Sequence, residues 1–103
     1  MNNSSEYVIQ TLSYVSIERV VDRLEQTFHT SFHSISLFQD RITTSKQTFY
    51  IEHVWDVSYR PFSGRNGLFY LHTNEGVFTF EVVEEPQPFI DAFKELRNTP
   101  MNL

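Results

Sequence analysis

The chain reads as a small α+β domain built on an antiparallel sheet. Three observations carry that reading. Short β-type runs recur between residues 34 and 83, an amphipathic helical spacing precedes them, and a second helical spacing, led in by prolines, follows them. Strands grouped together with helices at the ends of the run place those helices against one face or end of an antiparallel sheet. With 103 residues the chain has the length of one domain, enough to close a core without staples. Residues 1–103 are expected as a single domain, with 1–6 and 98–103 as flexible tails.

Tyr7 to Leu12 carries strand-type residues without clean alternation and suits a short strand or the lead-in to a helix. Ile17, Val20, Val21, Leu24 and Phe28 then fall at i, i+3, i+4, i+7 and i+11, one apolar stripe at helical spacing. Glu18, Arg19, Asp22, Arg23 and Glu25 occupy the other side. The spacing predicts an amphipathic helix over 16–28. Ile35 and Leu37 begin a strand, Gln39-Asp40 turns it, and residues 41–44 return. A second turn at 45–47 leads to a strand over 48–51, and Trp55, Val57 and Tyr59 alternate through a further strand that Pro61 ends. Asn66-Gly67 suits a tight hairpin with positive φ.

The last third is the most sharply patterned. Residues 68–73 and 77–83 alternate on either side of Asn74-Glu75-Gly76, a three-residue connection whose Gly suits a positive-φ position. Pro86 and Pro88 then introduce a helix that puts Phe89, Phe93 and Leu96 on one face, with Ile90 beside them.

Residues 35–97 resemble the bacterial branch of the pleckstrin-homology-like fold, close to the GRAM variety. The likeness rests on the strand–turn–strand around Asp40-Arg41-Ile42, the segment 49–54 leading into a strand, the hairpin 71–80, and the closing helix 88–96. It implies a strongly bent antiparallel sheet or partial barrel with a C-terminal capping helix, to which the helix over 16–28 is an addition. It also implies a domain that binds lipid headgroups, peptides or proteins. No lipid-binding motif of that family is carried by residues of this chain.

Composition narrows the chemistry. There is no cysteine, which removes disulfides, thiolate metal sites and a thiol nucleophile and fits a cytoplasmic address. The first residues lack the charge and apolar core of a secretion signal, and no apolar run approaches a membrane span. Net charge is −5, with the bases gathered in the middle: residues 41–67 hold four bases against two acids. A long basic stripe for a nucleic-acid backbone is missing.

His29 and His33 have the i, i+4 spacing of two metal ligands on a helix, but a third ligand is wanting. No metal or cofactor is expected. Glu52-His53 with Asp56, and His72 with Glu75, are the remaining acid–base pairings. Residues adjacent on a strand point to opposite faces, which separates Glu52 from His53, and His72 falls on the solvated side with Tyr70. The glycines at 64 and 67 form no phosphate loop, and no serine sits in a nucleophile elbow.

The sequence therefore points to a non-enzymatic binding or assembly module acting on a protein partner or a second copy of itself. The partner would meet Val20, Val21, Leu24 and Phe28, side chains each worth roughly 1.5–3 kcal/mol when buried. The alternative is an anionic lipid headgroup or small anionic ligand held at a rim by Arg41, Lys46, Arg60 and Arg65, with peripheral membrane contact; ordinary solvated charge competes with that reading. Trp55, Tyr59 and Phe62 belong to the core or, if exposed together, to an interface. A hydrolase using His53 or His72 ranks last.

Overall fold

A computed structural model describes residues 7–64 and 66–98. Seven strands form one antiparallel sheet: β1 (Gln10–Asp22), β2 (Glu25–Leu37), β3 (Arg41–Thr43), β4 (Thr48–Tyr50), β5 (Val54–Pro61), β6 (Gly67–Thr73) and β7 (Gly76–Val82). Helix α1 (Gln87–Asn98) follows. The order across the sheet is β4-β3-β2-β1-β7-β6-β5. The tails expected at 1–6 and beyond 98 lie outside the described residues, and residue 98 itself ends α1.

The core lies on one face of the sheet. Alternation selects Leu12 and Tyr14 from β1, Ile35 and Leu37 from β2, Phe69 and Leu71 from β6, and Val82 from β7. Two elements cover them. Helix α1 lays Phe89, Ile90 and Phe93 on that face, with the Phe89 ring edge-on to Phe69 at 5.5 Å. Its last turn is tied down by Arg97, whose guanidinium donates to the Val54 carbonyl. Pro86 stands immediately before the helix and its carbonyl accepts the first helical bond, from the Ile90 N–H (2.9 Å); Pro88 falls in the first turn, where a missing N–H costs no helical bond. The β3–β4 hairpin leans across the same face far enough for Phe49 to meet Phe78 of β7 at 4.8 Å. The sheet nevertheless stays open: β4 and β5 are its two edges and do not pair. The strongly bent sheet or partial barrel expected from the resemblance is not formed.

The principal correction concerns residues 16–28. They form no helix; they are the distal halves of β1 and β2, paired without interruption from Gln10↔Leu37 to Asp22↔Glu25. Strands of 13 residues are more than twice the usual length. The hairpin turns at Arg23-Leu24, where Arg23 adopts φ +58°, an uncommon conformation for a residue with a Cβ. Composition accounts for the outcome. Val15, Ile17, Val20, Val21, Thr27 and Thr30 are β-branched, stiff at χ1 and better suited to a pleated ribbon than to a helix.

Two turns also differ from expectation. Thr73 pairs directly with Gly76, leaving a two-residue connection with Gly76 at φ +121°; the positive φ was expected, the shorter loop was not. Gly67 does not supply a positive φ. It is buried at the start of β6, where a Cβ would fall 2.5 Å from Cε1 of Tyr59. Close approach, not turn geometry, requires the glycine.

Candidate functional site: a projecting β-arm and the cleft at its root

β1 touches β7 only through Tyr14↔Val82 and Val15↔Glu81, and β2 touches β3 only through Ser36↔Thr43 and Leu37↔Ile42. Between those points, among the described residues, the β1–β2 ribbon has no third strand beside it. It projects as an arm. The molecule is 62 Å long and 25 Å thick, and its radius of gyration is 15.9 Å against about 13 Å for a compact chain of this length.

The arm inverts the sidedness of the body. Near the core, the covered face of the ribbon presents Leu12 opposite Ile35, while the outer face presents Thr11 opposite Ser36 and Ser13 opposite Ser34. Period-two alternation continues unbroken into the arm. There the face continuous with the core becomes polar: Ser16 opposite Ser31, Glu18 opposite His29 and Asp22 opposite Glu25, with Val20 and Thr27 between. The outer face becomes apolar: Val15 opposite Phe32, Ile17 opposite Thr30, Arg19 opposite Phe28 and Val21 opposite Gln26. Ile17, Val21, Phe28 and Phe32 are 57–68% exposed, and Leu24 at the tip is fully exposed.

The four residues expected to meet a partner are thus redistributed. Val21 and Phe28 share the outer face, Val20 lies on the polar one, and Leu24 caps the tip. Ile17 belongs with Val21 and Phe28, and Phe32 is the member that helical spacing left out. The signal for Phe32 was the alternation Phe28, Thr30, Phe32 beside Val15, Ile17, Val21.

The proposed basic rim is scattered. Arg41, in β3, bonds Asp40 at 2.7 Å and stacks over Phe38 at 4.1 Å. Lys46 is in the β3–β4 turn, and Arg60 is in β5 at the opposite edge of the sheet. Arg65 lies outside the described residues. Lys46 borders a cleft of about 210 Å³ at the root of the arm. Tyr14, Ser16, His33, Ser45 and Glu81 also line it. Tyr14 fixes the β3–β4 turn there, its hydroxyl 2.8 Å from Ser45 Oγ, while its ring packs against His33 and Phe80. The cleft is smaller than the usual small-molecule site.

The histidines assemble no reaction centre. His29 and His33 share a face of β2, but four residues of strand separate them by about 13 Å, too far for one ion. Among the described residues no group of metal-ligating side chains comes together. His33 bonds Ser31 and His72 bonds Ser58, each at 2.8 Å, as two-member contacts without the third group that orients a catalytic base. Glu52 and His53 sit in a 3-10 turn over Ile51–His53, both exposed, and Asp56 accepts from the Val57 N–H at 2.8 Å beside the bulge in β5. That bulge turns Trp55 out to solvent, whereas Tyr59 packs on the core, so Trp55, Tyr59 and Phe62 form no common patch. Among the described residues no helix is long and apolar enough to cross a membrane. No protein family, curated protein or solved structure matches the chain.

Proposed function

We propose that this chain is a non-enzymatic binding and assembly module that engages a protein through the outer face of its β1–β2 arm. The observation that carries the proposal is the inverted sidedness of the ribbon. A two-stranded ribbon in water is marginal by itself, and placing large apolar side chains on the face turned away from the core does nothing for the core. An exposed apolar patch beyond a few hundred Å² marks an interaction surface, and aromatic residues are enriched where proteins meet. The open sheet departs from the pleckstrin-homology-like resemblance. From that resemblance only the broad class of binding domain is retained.

The anionic-ligand reading has less behind it, since Arg41 is engaged by Asp40 and Phe38 and Arg60 is across the sheet. Affinity capture from the source cell separates the two. Bait carrying Ile17→Ser and Phe32→Ser should lose a stoichiometric protein partner (a second copy of the chain included) that the wild type retains. Identical capture by both baits, or sedimentation with anionic vesicles that survives the two substitutions, would overturn the proposal.

A further inference from the structure

Resting on that reading, we infer that the occupant of the arm's outer face is the same face of a second copy, the two arms stacked face to face and pointing the same way about a two-fold axis along their length. Area supports a second copy. The outer face and the tip offer on the order of 500–700 Å² of apolar surface per chain, given that an aromatic residue carries about 150–250 Å². Two copies face to face then cover roughly 1,000–1,400 Å², reaching the lower part of the range for stable specific interfaces.

Charge selects the orientation. Arg19 is the one charged side chain on this face, and it stands directly opposite Phe28 in the ladder. Sheets packed face to face keep their strands within about 30° of alignment. If the axis runs along the arms, β1 of each copy lies over β2 of the other, so Arg19 falls over the partner copy's Phe28 ring, a favourable cation–ring contact. If the arms were antiparallel, β1 would lie over β1 and bring the two Arg19 guanidinium groups together at the centre. Like charges in a desolvated interface oppose that arrangement. No carboxylate of the arm lies on this face, because Glu18, Asp22 and Glu25 are all on the other.

The chain has no cysteine, so single thiols report the geometry without interference. Leu24→Cys places one at the tip, and Thr27→Cys places one on the polar face. Light scattering and thiol crosslinking with a bismaleimide of about 10 Å reach, matched to the spacing of packed sheets, are the measurements. The expected result is a dimer that Phe28→Ser weakens at least tenfold, with tip-to-tip crosslinking at Leu24→Cys and none at Thr27→Cys. A folded monomer at every concentration overturns the self-pairing. Crosslinking at position 27 alone, or a dimer indifferent to Phe28→Ser, does so as well. These outcomes are distinct from failure of the arm as a binding surface, which shows only as unchanged protein capture by the Ile17→Ser, Phe32→Ser chain.

Discussion

Arg19 and Phe28 stand opposite each other across the β1–β2 ladder, on the side of the arm turned away from the core. A cation beside a mostly open ring, flanked by Ile17, Val21 and Phe32, contributes little to the fold of an isolated chain. Phe28→Ser and Leu24→Glu should therefore change the stability of the monomer by no more than about 0.5 kcal/mol, the usual range for surface sites. Thermal unfolding by circular dichroism at low concentration is the check. Loss of folding on Leu24→Glu would return this segment to the core.

The turn of the arm carries strain that a substitution can release. Arg23 holds φ +58°, which costs a residue with a Cβ about 1 kcal/mol. Arg23→Gly should raise the midpoint of unfolding or leave it level, despite the greater freedom of the unfolded chain. Arg23→Val should lower it, since a branched Cβ resists this region. The opposite ranking would argue against the two-residue turn.

Gly67 is required by the Tyr59 ring. A Cβ there would meet Cε1 at 2.5 Å and the Arg60 carbonyl oxygen at 2.9 Å. Gly67→Ala should cost about 1–3 kcal/mol, as overpacking does. Adding Tyr59→Leu should recover part of that loss, because the backbone contact remains. Chemical denaturation of the single and double variants measures the coupling.

Phe93 is buried between α1 and the sheet. Phe93→Ala should remove about 3–5 kcal/mol, the ordinary penalty for emptying an aromatic site. An unfolding midpoint unchanged within error would show that α1 does not complete the core.

The C-terminal half was legible because its signals are local. Alternation from Leu68 to Val82, a Gly at the turn and prolines before Phe89 each specify one conformation. The arm was not legible for a physical reason. Ile17, Val20, Val21, Leu24 and Phe28 satisfy the helical period, and the odd residues 15, 17 and 21 with the even residues 28 and 32 satisfy the strand period equally well. Arg23-Leu24 offers none of the glycine, asparagine or proline that usually marks a hairpin. What remained to decide between them was the β-branched content, and register with a distant strand is invisible to local spacing. The residues of the helical stripe divide the same way: Val21 and Phe28 share the outer face of the arm with Phe32, Leu24 is at its tip, and Val20 is on the other face. Arg41, Lys46 and Arg60 are all at turns or strand ends, yet turns of one sheet need not meet, and these do not.

Sedimentation velocity over a wide concentration range, comparing the wild type with the Ile17→Ser, Phe32→Ser double variant, shows whether the apolar face of the arm joins two chains. Self-pairing through the arm predicts a wild type that passes from monomer to dimer as concentration rises, and a variant that stays monomeric with an unchanged circular dichroism spectrum. A wild type that remains monomeric throughout, or a variant that dimerises equally well, would contradict it.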